Sequence, residues 1–313
     1  AITRQQSTFT HQDLARFVNR HSADSEQFQA VYEKVKAAPD IVFLGLDECK
    51  RERFTTQEML TLEQAMLECA TLLTQRNGHE VKENLKAHTL NARSLSAEQQ
   101  AAFEHLVSAG DLKNVIGYAG SGKSYLLGAA REAWERQGYR VHGVSLSGIA
   151  AENLEAGSGI ESRTIASRTY YWDKGEQLLT ARDILVVDEA GMIGSRQLNR
   201  LLSEVQQRQA KVVLVGDPYQ LQAIEAGAAF RAVAEQTPTL SLTEIRRQRI
   251  GWQREATVLL ATGKTAEAIE HYNQHDLVHV FETQAVAKQG LVELWNDVRL
   301  SEPHKTQIML TYT

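Results

Sequence analysis

Gly117-Tyr-Ala-Gly-Ser-Gly-Lys-Ser124 is the stretch of sequence that decides the fold. It follows the phosphate-loop pattern of Gly, any four residues, Gly, Lys, and then Ser or Thr. The apolar residues before it predict a strand, and residues 125–136 predict a helix. A strand, a glycine-rich turn and a helix in this order direct backbone N–H groups at a phosphate. The sequence therefore predicts a nucleotide site built on a P-loop.

Individual residues of this loop have separate expected roles. The Lys123 ammonium can reach the β- and γ-phosphates of a nucleotide, and the Ser124 hydroxyl can bind Mg²⁺. The glycines allow the backbone N–H groups to turn toward the phosphates. ATP and Mg²⁺ are the predicted cofactors. The predicted phosphate-binding residues are Gly117, Gly120, Ser121, Gly122, Lys123 and Ser124.

Two adjacent carboxylates, Asp188 and Glu189, follow the apolar run Ile184-Leu-Val-Val187. In open parallel sheets, ligands bind at the carboxyl ends of the strands. Asp188 is suited to binding Mg²⁺, directly or through water, and Glu189 is suited to activating the attacking water. A P-loop kinase needs no such glutamate, because its nucleophile is a substrate hydroxyl. The pair predicts hydrolysis, and the alternative is a Glu189 that plays no catalytic part.

A third apolar run, at 212–215, precedes Gly216-Asp-Pro-Tyr-Gln220. The run predicts another buried strand whose polar end lies beside the first two motifs. Gln220 is then placed to sense the γ-phosphate or to orient the attacking water. Gly-Asp-Pro alone is a common turn, so this prediction depends on the motifs occurring in series.

The segment Leu95-Ser-Ala-Glu-Gln99 has two interpretations, which can both hold. The spacing of Ser96 and Gln99 predicts a capping box at the start of a helix. The functional interpretation is that the Gln99 amide contacts the adenine edge. An amide can pair with N6 and N7 of adenine through two hydrogen bonds.

The predicted fold is α/β, with a doubly wound parallel sheet of the P-loop NTPase class over 94–243. Short apolar runs alternate there with helix-length segments, which is typical of strands joined by crossover helices. These runs lie at 115–117, 141–145, 184–187, 212–215 and 240–242.

The rest of the chain predicts two further regions. Residues 1–93 predict a mainly helical N-terminal domain, with one strand at 41–46 and a polar linker at 75–93. Residues 244–313 predict part of a second α/β domain. Its expected elements are helices at 258–272 and 285–298 and strands at 278–281 and 307–311. Both chain ends suggest boundaries inside a longer protein.

Composition limits the classes of protein that fit. The net charge is −5, so we expect any contact with nucleic acid to be a local groove rather than a broad basic face. The two cysteines have no metal-binding spacing, which favours free thiols. The sequence shows neither an apolar stretch long enough for a membrane span nor a secretory leader. A cytoplasmic protein is the expectation.

The ordered motifs resemble those of superfamily 1 helicases of the RecD-like branch. That resemblance implies a RecA-like ATPase domain acting on single-stranded DNA. It assigns to Arg247 an arginine that contacts the γ-phosphate, with Arg246 as the alternative. It also implies DNA contacts at Ser147 and Thr164, although Ile149 stands where the family usually has Lys or Arg. The matching segments are 95–99, 117–124, 145–151, 186–190, 216–221 and 242–248.

A closer resemblance covers nearly the whole chain. Segments such as Phe9-Thr-His-Gln-Asp-Leu-Ala15 and Arg53-Phe-Thr-Thr-Gln-Glu-Met59 are similar to conjugative relaxase-helicases of the TraA/MobA type from Ti-like plasmids. This implies a bacterial DNA helicase or translocase module. It also implies a relaxase domain upstream in the same chain and a conjugation coupling protein as a partner.

The relaxase motif and the late helicase motifs do not occur in this sequence. The chain alone is therefore expected to hydrolyse ATP weakly and not to unwind duplex DNA. Two alternatives stay open. One is a RecD-type repair helicase, and the other is a degenerate module that binds nucleotide or single-stranded DNA without turnover.

Overall fold

The computed structural model describes residues 2–4, 6–47, 49–118, 120–217, 228–244, 250–261 and 263–304. The chain forms two compact units, spanning 1–247 and 248–313. The first elements of the first unit are α1 (His11–Arg20), α2 (Ser25–Lys36), β1 (Ile41–Leu46), β2 (Glu52–Thr56), α3 (Gln57–Gln75) and α4 (Glu83–Ala92).

Helix α1 begins at a hydrogen-bonded pair of residues. The Thr10 hydroxyl accepts the Asp13 N–H at 3.2 Å, and the Asp13 carboxylate accepts the Thr10 N–H at 2.9 Å. This reciprocal pair is a capping box, and it explains why the helix starts here. The sequence predicts one strand in this region, whereas β1 pairs antiparallel with a second strand, β2. The second strand is hard to predict because its last residue, Thr56, is also the N-cap of α3, so the segment has the pattern of a helix start.

The linker predicted at 75–93 is wrong over its second half, because helix α4 lies there. The sequence of this helix is mostly polar, and a polar composition by itself favours a linker. Leu85 and Leu90 pack against a buried cluster of the first unit. A few apolar contacts with the neighbouring domain therefore fold a segment whose own sequence only weakly favours a helix.

The middle of the chain confirms the predicted parallel sheet. Among the described residues, six strands pair in the order β5-β4-β6-β7-β3-β8, and every pair is parallel. The short polar strand β5 has too little apolar character to be predicted. The elements are α5 (Ala97–Val107), β3 (Leu112–Gly117), α6 (Lys123–Arg136), β4 (Arg140–Ser145), α7 (Gly148–Ser158), β5 (Ser162–Thr164), α8 (Ile165–Asp173), β6 (Asp183–Val187), α9 (Ser195–Arg208), β7 (Lys211–Gly216), α10 (Ala229–Gln236) and β8 (Thr239–Leu242).

Both faces of the sheet are buried under helices. Successive residues of a strand point to opposite faces, so Leu185 and Val187 enter one apolar cluster while Ile184 and Val186 enter the other. The first cluster includes residues of α3 and α9, and the second includes residues of α5 and α6. Helix α3 thus packs on the ATPase sheet. Leu72, on the same helix, is 51% exposed and does not belong to the packed face.

The second unit contains α11 (Gly251–Ala261), α12 (Thr265–Asn273) and α13 (Gln284–Ser301). The strand predicted at 278–281 is wrong, because this segment has no regular structure and Val280 is 91% exposed. Its β-branched residues favour a strand, but an isolated strand has no partner for its backbone groups. The strand predicted at 307–311 lies outside the described residues. No strand occurs between 263 and 304, so a second α/β domain stays a prediction.

Asp183, at the start of β6, is a buried carboxylate with a complete set of donors. Its two oxygens lie 3.0 Å from the His142 ring nitrogen, 2.7 Å from the Thr180 N–H and 2.8 Å from the Arg140 guanidinium. Burial alone would raise the pKa of Asp183, but hydrogen bonds from His142, Thr180 and Arg140 outweigh it and hold the pKa below its ordinary range. The charged form therefore stabilises the folded state.

We expect Asp183→Ala to lower the free energy of unfolding by about 3 kcal/mol at neutral pH, because it removes a buried, charged acceptor and its hydrogen bonds to Arg140, His142 and Thr180. A carboxyl with a lowered pKa stabilises the fold above its unfolded pKa of about 4, and that contribution is lost as pH falls further. The free energies of unfolding of the unchanged protein and of Asp183→Ala, measured with urea, should therefore converge as the pH falls. The control is Asp173→Ala, whose exposed ion pair with Arg200 should contribute less than about 1 kcal/mol. An equal loss in both variants would contradict the prediction.

Candidate active site

The P-loop has the predicted strand and helix on its two sides. Strand β3 ends at Gly117, and helix α6 begins at Lys123. Gly120 and Gly122 both have left-handed backbones, with φ of +84° and +83°. Side chains disfavour this conformation, and glycine adopts it at no steric cost. Ala119, directly before Gly120, lies outside the described residues.

Space inside the loop also requires glycine. A Cβ at Gly117 would lie 2.8 Å from the Ser121 hydroxyl and 3.0 Å from the Lys123 side chain. A Cβ at Gly122 would lie 2.6 Å from the Gln99 amide nitrogen. These distances are shorter than van der Waals contact, so a side chain at either position would clash with the residues that surround it.

Two polar side chains of the loop, Lys123 and Ser121, differ in their hydrogen bonding. The Lys123 ammonium donates to the carbonyls of Gly117 and Tyr118 at 2.6 and 3.0 Å. The Ser121 side chain is 2% exposed, and its hydroxyl finds no hydrogen-bond partner among the described residues. A buried hydroxyl of this kind needs a polar partner. Together with the glycine cradle, it fits a phosphate group.

The two predicted carboxylates lie directly after β6. The Asp188 carboxylate accepts the Glu189 N–H at 2.9 Å, and Glu189 has a left-handed φ of +55°. This backbone conformation is costly for a residue other than glycine and is frequent at functional sites. Asp188 also donates its N–H to the carbonyl of Val144 on β4, which fixes the strand end.

The charged side chains after β6 and in the P-loop change one another's pKa. Burial raises the pKa of Asp188 above its ordinary value, and the Lys123 ammonium opposes that rise. Burial also raises the pKa of Glu189, and so does the neighbouring Asp188. Lys123 acts in the opposite direction. Lys123, Asp188 and Glu189 therefore belong to one electrostatic site.

The motif that begins at Gly216 packs tightly against the residues that follow Glu189. Strand β7 lies between β6 and β3, so its carboxyl end separates the carboxylates from the P-loop. A Cβ at Gly216 would lie within 3 Å of the backbone nitrogens of Ala190 and Gly191. Asp217, the next residue, is 7% exposed. Gln220 and Arg247 lie outside the described residues, and their roles stay predictions.

The structure confirms that Gln99 closes a capping box. Its amide oxygen accepts the Ser96 N–H at 3.2 Å, and the Ser96 hydroxyl accepts the Gln99 N–H at 3.3 Å. The side chain is 2% exposed and reaches Gly122 of the P-loop. Pairing with adenine would require the amide oxygen to accept the adenine N6–H as well as the Ser96 N–H. Adenine recognition therefore stays a prediction.

The predicted DNA contacts also cap helices at the same edge of the sheet. The Ser147 hydroxyl accepts the Ala150 N–H at 3.1 Å at the start of α7. The Thr164 hydroxyl accepts the Ser167 N–H at 3.1 Å at the start of α8. Ile149, on the first turn of α7, is 73% exposed. Both hydroxyls have a structural role, and contact with DNA stays a prediction.

This fold and site define a P-loop NTPase domain. The chain belongs to the family described as the AAA domain, whose family model matches residues 94–283. This match confirms the class predicted from the motifs. Among the described residues, no helix has the length and apolar character needed to cross a membrane.

Sequence relatives extend beyond this domain. The chain is 39% identical over 319 aligned positions to the probable conjugal transfer protein TraA of Sinorhizobium fredii. The match covers 99% of this chain but 29% of that protein, so the chain spans less than a third of the relative. It is 33% identical over 161 positions to the ATP-dependent RecD2 DNA helicase of Deinococcus radiodurans, which covers 50% of this chain and 22% of that protein. The predicted resemblance to TraA-type and RecD-like proteins is confirmed.

A solved structure with a similar arrangement is that of the Pif1 helicase from Candida albicans. It is 18% identical and has a TM-score of 0.42, with 65% of this chain and 55% of that chain covered.

Proposed function

We propose that this chain binds ATP with Mg²⁺ and hydrolyses it, as the motor of a DNA helicase or translocase in bacterial conjugative transfer. The observation that carries the proposal is the convergence of Lys123, Asp188 and Glu189 beside a glycine cradle. A phosphate-binding loop alone would support nucleotide binding. The second carboxylate on a strained backbone supports hydrolysis as well.

Each residue has a separate role in the proposed reaction. Lys123 neutralises charge on the β- and γ-phosphates. Ser124 and Asp188 would hold Mg²⁺, which supplies further charge neutralisation when it is bound. Glu189 accepts a proton from the water whose oxygen attacks the γ-phosphorus, while the bond from that phosphorus to the β-phosphate oxygen breaks. Gln220 orients this water, and Arg247 stabilises the charge that develops on the γ-phosphate.

Similarity to the relatives supports the DNA part of the proposal. The name of one relative refers to conjugal transfer and that of another to a DNA helicase. Single-stranded DNA is therefore the proposed track, with Ser147 and Thr164 as contacts at the carboxyl edge of the sheet. The proposed partners are a relaxase domain upstream in the same chain and a conjugation coupling protein, in the bacterial cytoplasm.

Two other functions each have an observation in their favour. The match to a RecD2 helicase favours a repair helicase built on the same domain. The exposed Ile149, in place of a basic residue, favours a module that binds nucleotide without DNA-driven turnover.

Phosphate release by the full-length protein, with and without single-stranded DNA, tests the proposal. Turnover that rises with DNA supports a motor. Nucleotide binding without phosphate release in either condition would contradict it and favour the binding module.

Recognition of adenine gives a prediction of its own. We expect Gln99→Ala to weaken the preference for ATP over GTP by about 1–3 kcal/mol, because the variant lacks the paired hydrogen bonds of the amide. Competition of GTP against labelled ATP measures the preference. The control is Gln100→Ala, whose exposed side chain donates to the Leu95 carbonyl at 3.1 Å. Equal binding of GTP and ATP by the unchanged protein would show that Gln99 serves only as a helix cap and a contact for the P-loop.

A further inference from the structure

The end of α7 lies against the first turns of α6. A Cβ at Gly128 would lie 3.2 Å from the Ser158 carbonyl oxygen, and a Cβ at Gly159 would lie 3.0 Å from the Arg131 guanidinium carbon. Both distances are shorter than ordinary van der Waals contact, so the two helices approach each other closely at this point. A helix packed this closely against α6 limits where the side chains of α6 can lie.

Gly157, one residue before the end of α7, faces Ser124 in the first turn of α6. A Cβ at Gly157 would lie 2.7 Å from the Ser124 Cβ and 3.1 Å from its hydroxyl oxygen. Nonbonded carbon atoms are usually at least about 3.5 Å apart, so this space is open only to a residue without a side chain. The Ser124 Cβ is bonded to the backbone, so rotation of the side chain cannot relieve such a contact.

The end of α7 is held in place by its own packing. Leu154 and Ile160, both 1% exposed, belong to the same apolar cluster as residues of α6. The Ser158 hydroxyl donates to the Leu154 carbonyl at 2.6 Å and accepts the Ile160 N–H at 3.2 Å, which fixes the shape of the helix end. Movement of α7 away from α6 would disrupt the apolar contacts. A side chain at Gly157 would therefore displace Ser124 rather than α7.

We propose that Gly157 is a positioning residue for Mg²⁺ binding, because it leaves the space in which the Ser124 side chain is held. The inference rests on the proposed function, in which Ser124 binds the Mg²⁺ that accompanies ATP. Mg²⁺ requires near-octahedral coordination at distances of about 2.0–2.1 Å, whereas Ca²⁺ accepts distances of about 2.3–2.6 Å and a more variable geometry. A displaced hydroxyl should therefore weaken the binding of Mg²⁺ more than the binding of Ca²⁺.

Binding of a fluorescent ATP analogue to the full-length protein tests this role, in EDTA, with Mg²⁺ and with Ca²⁺. For Gly157→Ala we expect the Kd in EDTA to stay the same, because the glycine cradle and Lys123 remain. This Kd also shows that the variant is folded. The gain in affinity on adding Mg²⁺ should fall about 10-fold, as expected for a residue that orients a metal ligand. The gain on adding Ca²⁺ should fall less.

Gly148→Ala is the matched control, because it places the same substitution on the same helix. No atom of the described residues lies within 4 Å of a Cβ at Gly148, so all three Kd values should equal those of the unchanged protein. Gly128→Ala is a milder test, since its Cβ would press on the Ser158 carbonyl rather than on Ser124. It should reduce the Mg²⁺ effect less than Gly157→Ala does. If Gly157→Ala does not fold, a normal Mg²⁺ effect in Gly128→Ala would overturn the inference.

A double variant distinguishes positioning of Ser124 from a general disturbance of the loop. Ser124→Ala removes the hydroxyl and should itself reduce the gain in affinity on adding Mg²⁺. Adding Gly157→Ala should reduce this gain no further, because the group that Gly157 positions is absent. A full additional loss in this background would contradict the inference. So would an unchanged Mg²⁺ effect in Gly157→Ala alone, or a loss of affinity that is equally large in EDTA.

Failure of the proposed function would give a different result. An unchanged protein that binds ATP with Mg²⁺ but releases no phosphate would contradict the proposed hydrolysis and leave the role of Gly157 intact. An unchanged protein whose affinity for ATP does not respond to Mg²⁺ would contradict the proposed Mg²⁺ site, and the role of Gly157 with it.

Discussion

Lys123→Ala is expected to lower the rate of ATP hydrolysis by at least about 100-fold, the effect of removing one group that stabilises developing charge. The ammonium donates to two carbonyls of its own loop and lies close enough to affect the pKa of Asp188 and Glu189. It therefore lies within the loop before nucleotide binds. Phosphate release at saturating ATP measures the effect.

The matched control for this variant is Lys82→Ala. Lys82 is exposed before α4, and its side chain makes no capping bond. Its removal should leave turnover unchanged. If Lys123→Ala retained turnover close to that of the control, the phosphate-binding role of the loop would be wrong even if the loop had the predicted shape.

Local patterns made much of this site predictable. The P-loop glycines, the capping box at Ser96 and the carboxylates after β6 each depend on residues within a few positions of one another. Such patterns specify turns and helix starts because the backbone groups involved are neighbours in sequence. The parallel sheet followed from the same kind of evidence, since apolar runs alternated with helices.

The predictions from sequence were wrong where the structure of a segment depends on residues that are distant in the sequence. Helix α4 is polar by composition and folds against a core that other segments build. The three residues of β5 pair with β4, although their own sequence does not favour a strand. The segment at 278–281 has the residues of a strand but no described neighbour with which to pair. In all of these segments the outcome was decided by tertiary contacts rather than local propensity.

Glu98 shows the same limit at the start of α5. Its sequence position next to Gln99 suggests only the first turn of a helix. The bonds to Thr243 and Glu244 close a loop of about 145 residues, and no local pattern encodes a pairing of that kind. Bonds of this kind are therefore found from the structure, whereas the P-loop is found from its motif.

Glu189→Gln should separate binding of ATP from its hydrolysis. The amide keeps the size of the side chain but cannot accept the proton of the attacking water, so turnover should fall about 100- to 10,000-fold. Lys123 and the glycine cradle remain, so the Kd for ATP should be retained. The left-handed backbone at Glu189 is also kept, which makes glutamine a better test than a larger change.

Two measurements on each protein decide the role of Glu189. Equilibrium binding of a fluorescent ATP analogue reports the Kd, and single-turnover phosphate release reports the chemical step without product release. Glu152→Gln, an exposed change on α7, is the control and should match the unchanged protein in both. If Glu189→Gln released phosphate at the normal rate, another group would activate the water, and Glu189 would be the passive strand end that the sequence left as an alternative. Retained binding with lost turnover would mean that the strained backbone after β6 holds the general base of the reaction.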